Sequence, residues 1–294
     1  MSTPLELAWQ AVTAAPDDAR CVDVLADLLL ERGEPLGTHF RSVLGLLARP
    51  DDVALRLEVL RLQRAFEERY PGHALTWTRT GLLEAVRYTR REGGALRSIL
   101  AEPLACALRL VRWWSFDDER ELRALDSLPA SLVDLDVSLS TEREEPVALG
   151  AAIATLPRLE ALSAQGQFSL EGLQHEGLRA LTWSAFVRPG DEVVRELASV
   201  RLPALRGLTL GLRAGPAPWP LELLSGHAFP SLRSLSLAGN LWPNQLEELA
   251  ACGLLRQLEE LHLGVEPLPD FARILDEAAD RFDHLQRFTP PRAY

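Results

Sequence analysis

The sequence predicts an α/β fold in which short parallel strands and helices alternate in a repeated unit, preceded by an all-helical segment. A Leu-x-x-Leu-x-Leu pattern returns at near-constant steps, the stretches between copies carry helical signals, and residues 1 to about 70 show helix starts and stops without a strand period. With 294 residues the chain exceeds the usual single-domain size, so two units or one elongated array is expected.

The pattern reads Leu132-Leu135-Val137, Leu159-Leu162-Ala164, Leu178-Leu181-Trp183, Leu205-Leu208-Leu210, Leu232-Leu235-Leu237 and Leu258-Leu261-Leu263. A weaker copy begins at Ala105 with Leu108 and Leu110, and a partial one holds Leu285 and Phe288. First positions therefore fall at 105, 132, 159, 178, 205, 232, 258 and 285, in steps of 27, 27, 19, 27, 27, 26 and 27. Alternation with a period of two predicts a strand with one face in the core. Between copies, Asp191–Ala198, Asn244–Ala251 and Asp270–Phe282 read as helices. Acidic residues open the first and last, and Pro243 precedes the middle one. The short step from 159 to 178 contains Gly166, Gly172 and Gly177, which predicts a loop there instead of a helix.

These copies resemble the leucine-rich-repeat family over about residues 82 to 290. The resemblance implies a right-handed solenoid with strands on its concave side and helices on its convex side. The expected architecture is thus a leucine-rich-repeat domain at residues 81–294, capped by an all-α domain at residues 1–80. One departure from the family is that the Asn that usually follows the strand occurs only at Asn240. Ser140, Gln167, Phe186, Arg213 and Glu266 stand at its place elsewhere, which predicts irregular turns and uneven curvature.

In the N-terminal segment, helices are expected over Leu5–Thr13, from Pro16 to Gly33 with Asp17 as the cap, over Leu36–Leu47, and over Val53–Arg69. Gly81–Tyr88 reads as a strand that caps the array. Pro16-Asp17-Asp18, followed by Ala26-Asp27-Leu28-Leu29-Leu30-Glu31-Arg32-Gly33-Glu34-Pro35-Leu36-Gly37, resembles the bacterial repeat-companion domain. Leu28 and Thr38 depart from that family's Trp and Glu. The resemblance implies a bacterial origin and brings no chemistry with it.

A net charge of -11 argues against general affinity for nucleic acid or an anionic membrane, both of which select clustered cations. All 31 basic residues are Arg, which pairs bidentately with carboxylates. Cys21, Cys106 and Cys252 lack ligand spacing and read as free buried thiols in a reducing compartment. Neither a leader at the N-terminus nor a membrane-spanning apolar stretch is visible, so a cytoplasmic location is expected.

No catalytic, cofactor or metal motif emerges. The six His residues lack HExxH-type spacing and read as packing or surface residues, and GxSxG, GxxxxGK[ST] and GxGxxG are absent. The residues between the paired strand leucines offer a candidate protein-binding row: Arg109, Asp136, Ser163, Thr182, Thr209, Ser236 and His262. Its small hydroxyls either form a track for a partner's backbone or relieve crowding on an inner curve. One position after the first leucine, Arg179, Arg206 and Arg233 form a column between Glu160 and Glu259, which is either a solvated rim or a contact for an acidic partner surface. Trp113, Trp114, Phe116, Trp219 and Trp242 either fill turns or mark a binding hot spot. The expected function is that of a non-catalytic scaffold or adaptor that binds another protein on the concave strands. The alternatives are an effector or enzyme whose repeats bring substrate to the N-terminal domain, and a self-associating module.

Overall fold

The computed structural model describes residues 2–88, 96–115, 123–139, 145–213, 226–240, 243–265 and 269–290. It shows a mixed α/β fold with a long sheet of parallel strands and helices between them. Phe116, Trp219, Trp242, Ser140 and Glu266 lie outside the described residues, as do the side chains of Trp114, Phe186, Arg213 and Asn240. The chain divides into two compact units: residues 1–114 with 118–133, and residues 115–117 with 134–294.

In the first unit, helices α1 (Pro4–Ala14), α2 (Ala19–Glu31), α3 (Pro35–Ala48) and α4 (Val53–Glu67) follow one another. Local chemistry sets their ends. A capping box joins Thr3 and Glu6 at the start of α1. The α2 cap is Asp18, one residue later than the sequence suggests, with its carboxylate accepting from the Arg20 N–H at 2.9 Å. Asp52 starts α4 by accepting from Leu55. Helix α2 buries Val22, Leu25, Ala26 and Leu29, the i, i+3, i+4, i+7 stripe of a core-facing helix.

Two strands and a short helix follow: β1 (His73–Trp77), β2 (Leu83–Tyr88) and α5 (Leu96–Leu100), then a 3₁₀ turn and β3 (Leu110–Ser115). The strand expected at 81–88 is β2, but β1 pairs with it antiparallel and takes the outer position, while β3 pairs with it in parallel. The first unit thus contains strands beyond residue 80 as well as the four helices.

Burial of two imidazoles gives this unit a pH dependence. His39 Nε2–H donates to the Gly81 carbonyl at 2.8 Å, and burial holds His39 below its ordinary 6.5, partly offset by that bond. His73 is held low by burial as well. Because the unfolded chain binds these protons at higher pH than the folded one, stability is full above about 6.5 and falls as pH drops toward the lowered folded values. The urea midpoint should decline as pH is lowered below about 6.5, and H39Q/H73Q should flatten that decline. An unchanged slope in the double variant would assign the acid sensitivity to other groups.

The second unit carries parallel strands in the order β4 (Asp134–Leu139), β6 (Ala161–Gln165), β8 (Ala180–Pro189), β9 (Gly207–Arg213), β10 (Ser234–Asn240), β11 (Glu260–Val265) and β12 (Arg287–Thr289). In the short step where no helix was expected, β7 (Phe168–Ser169) forms a separate parallel pair with β5 (Val147–Ala148) of the step before it. Helices fill the longer steps: α6 (Gly150–Ala154), α7 (Gly190–Ser199), α8 (Pro243–Ala251) and α9 (Gly253–Gln257). The helix expected over 270–282 is split into α10 (Pro269–Glu277) and α11 (Ala279–Phe282).

Aliphatic alternation explains the strands. Leu162, Leu181, Leu208, Leu235 and Leu261 occupy one register line, with Ala164, Trp183, Leu210, Leu237 and Leu263 in the next inward line, and all are buried.

Candidate functional site

Residues between these buried lines point to the opposite face of the sheet. Asp136, Ser163, Thr182, Thr209, Ser236 and His262 are consecutive register partners on β4, β6, β8, β9, β10 and β11, and Thr289 of β12 continues the line. All six are at least partly exposed. With neighbouring strands about 4.8 Å apart, the hydroxyls of Ser163, Thr182, Thr209 and Ser236 form a straight polar track.

Arg109 does not belong to this line. It precedes β3, and its N–H bonds the Glu84 carbonyl at 2.8 Å. In the second unit, the residue just after the first leucine bonds in the same way: Arg179 to Glu160, Arg206 to Arg179 and Arg233 to Arg206, each at 2.8 Å. The first leucine of the early copy is therefore Leu108, and the residue between its paired inward positions is the exposed Arg112, the register partner of Arg87. Val111 takes the first buried strand position, which is leucine in every copy from Leu132 to Leu263, and Trp113 takes the second, which is why the sequence pattern aligned three residues early. Trp113 is accordingly a core residue and not an exposed hot spot. The Arg109 guanidinium pairs with Asp17 at 3.2 Å.

The Arg column is also continuous. A backbone ladder links Glu160, Arg179, Arg206, Arg233, Glu259 and Gln286 across neighbouring strands. Arg179 lies 3.5 Å from Glu160 and Arg233 lies 3.6 Å from Glu259, both as half-exposed pairs. Among the described residues, Arg206 makes no ion pair. The column thus has compensated ends and an uncompensated centre, and runs beside the hydroxyl track about 10 Å away, three residues along each strand.

Two features escaped the sequence reading, the first of them on this face. Ala161, Ala180, Gly207 and Ser234 form a line on one side of the hydroxyl track, and Gln165, Ser184, Gly211 and Ala238 form another on its far side. Apart from Gln165, the side chains on these three adjacent lines are small, so little stands above the backbone of β8 and β10. Their signal is present two residues to either side of each track residue, but its meaning depends on strand register.

The second feature lies ahead of the first leucines of three copies. His175 Nε2–H donates to the Leu156 carbonyl at 2.8 Å, Gln257 Nε2–H to Phe229 at 2.8 Å, and His284 Nε2–H to Leu255 at 2.9 Å. Polar side chains just ahead of the first leucine thus satisfy carbonyls of the preceding unit. These His residues have structural partners.

In the first unit, a half-open cavity is lined by residues including Leu36, His39, Leu62, Phe66, Arg69 and Trp77. Glu102, another lining residue, is held by two neighbours. The Tyr70 hydroxyl donates to Glu102 at 2.5 Å, Arg69 pairs with Glu102 at 3.2 Å, and Arg69 lies 4.4 Å over the Phe66 ring. Burial, reinforced by Glu102, pushes the Tyr70 phenol up to about 12, so it stays protonated at neutral pH. Cys21, Cys106 and Cys252 are free and half-buried, and burial pushes the Cys106 and Cys252 thiols up, away from the nucleophilic thiolate. Among the described residues, no three of His, Cys, Asp and Glu converge into a metal-sized group, and no helix is long and apolar enough to cross a membrane.

Compared with models of protein families and with curated proteins, the chain matches none.

Proposed function

We propose that the chain is a leucine-rich-repeat solenoid with an N-terminal helical cap, and that it acts as a non-catalytic scaffold that holds a partner protein on the concave face of its strands. The observation that carries this reading is the hydroxyl track from Ser163 to Ser236, lying on rigid parallel strands and bordered by the Arg column. Residues held by sheet register lose little entropy on association, which favours recognition by a preorganised surface. Small residues on the neighbouring lines admit a partner's backbone, and Arg206 supplies a charge that calls for a carboxylate or phosphate on that partner.

The test is affinity purification from the native host with quantitative mass spectrometry, using the unaltered chain, T209R, and R179E/R206E/R233E. Partners recovered by the unaltered chain should fall at least about tenfold with either variant, since tenfold corresponds to about 1.4 kcal/mol and buried charge repulsion exceeds that. Equal recovery by all three forms would remove this face as the binding surface.

A further inference from the structure

Helix α4 has two apolar faces, and only one is used. Val59 and Phe66 are buried and Leu55 and Leu62 half-buried. Val53, Leu57 and Leu60 lie on the other side and are 64%, 61% and 54% exposed. Single exposed leucines are ordinary, but these three have the i, i+4, i+7 spacing that stacks side chains into one continuous stripe. No other stretch among the described residues sets three exposed large hydrophobics at this spacing.

The borders of the stripe identify what fits it. Arg56 flanks one side and Arg61 the other, and Arg64 continues the line one turn beyond Leu60. All three are exposed. Arg61 is shared with Glu58 at 2.8 Å and Arg64 with Glu68 at 3.4 Å, pairings on open surface that exchange readily. Arg56 donates to the Pro50 carbonyl at 2.6 Å. Glu58 lies well off the stripe, behind Arg61 on the helix circumference.

A second copy of α4 meets this stripe poorly. Antiparallel packing sets Arg56 against Arg56 and Arg61 against Arg61, and parallel packing sets Arg56 against Arg61, so like charges oppose in both arrangements. An anionic bilayer is also disfavoured. The stripe holds no aromatic residue to anchor at a membrane interface, and three aliphatic side chains offer little apolar area to bury in one.

We infer that the outward face of α4 docks an amphipathic helix of a partner protein, one with an apolar stripe bordered by Glu or Asp. The partner's apolar side chains pack between Val53, Leu57 and Leu60, and its carboxylates take Arg56, Arg61 and Arg64. This is a surface additional to the strand face, and it needs no residue of that face.

The test uses the full chain and two fluorescein-labelled synthetic peptides, each about three heptads long with the same leucine core. One carries Glu at the flanking positions and the other Lys. Fluorescence anisotropy should show the Glu peptide binding at least about tenfold more tightly than the Lys peptide. L57S/L60S should abolish binding, and R56E/R61E should reverse the preference. These positions are exposed, so circular dichroism should be unchanged in the variants, and T209R should bind the Glu peptide as the unaltered chain does. Equal affinity for the two peptides, no saturable binding of either, or binding indifferent to L57S/L60S would overturn the inference. So would self-association in sedimentation, or binding to phosphatidylserine vesicles, that L57S/L60S abolishes.

Discussion

Replacing Trp183 with Ala should lower the unfolding free energy by about 3–5 kcal/mol, as expected for removing a large aromatic from a core that cannot collapse around the gap. The indole is fully buried on β8, in register between Ala164 on β6 and Leu210 on β9. Ala164 is also fully buried, so the Trp fills width that its neighbour leaves open. Trp183→Leu should cost less, because leucine is the residue found at the equivalent place on β9, β10 and β11. Adding Ala164→Leu to W183L should then recover part of the loss by returning volume to the same layer. Urea titrations followed by circular dichroism measure all three. A W183A midpoint within error of the unaltered chain would mean that the layer repacks freely and that the register account of this core is wrong.

Gly166→Ala is expected to cost about 2–4 kcal/mol, the combination of a left-handed backbone and an overpacked contact. Gly166 follows β6 with φ of 104°, and a Cβ built there would lie 2.4 Å from the Leu139 carbonyl oxygen. A carbonyl fixed at the end of a strand cannot yield as a flexible side chain can. Gly172 in the same loop region separates the two causes: its φ is 72°, and a Cβ would meet nothing within 4 Å. Gly172→Ala should therefore cost only about 1–2 kcal/mol, the backbone penalty alone. Equal losses at the two sites would show that backbone conformation accounts for both and that the approach to Leu139 is immaterial.

Strand positions were readable wherever leucine held the first of the two inward sites, because burial on one face imposes a period of two on the local sequence. The copies from Leu132 to Leu263 fall into this class, and the register partners within the row from Asp136 to His262 follow from their shared place between the two inward residues of each copy. Arg109 was misplaced for a local reason: Val111 and Trp113 serve as inward residues in β3 and do not look like the leucine pattern. Strand β1, with His73 to Trp77, carries only weak alternation and owes its position to pairing with β2. The carbonyl-bonding roles of His175, Gln257 and His284 were likewise hidden, since their acceptors lie 19 to 29 residues earlier in the chain.

Helix α4 marks the boundary between the two kinds of information. Its caps, length and apolar spacing are matters of neighbouring residues, and the amino-acid order specifies them. It also specifies two apolar stripes, Leu55-Val59-Leu62-Phe66 and Val53-Leu57-Leu60, with nothing local to rank them. Packing against distant segments buried the first and left the second in solvent, and the same long-range packing set the Arg column and the hydroxyl track side by side. Local order dictates which side chains share a face; which face meets water depends on what the rest of the chain brings against it.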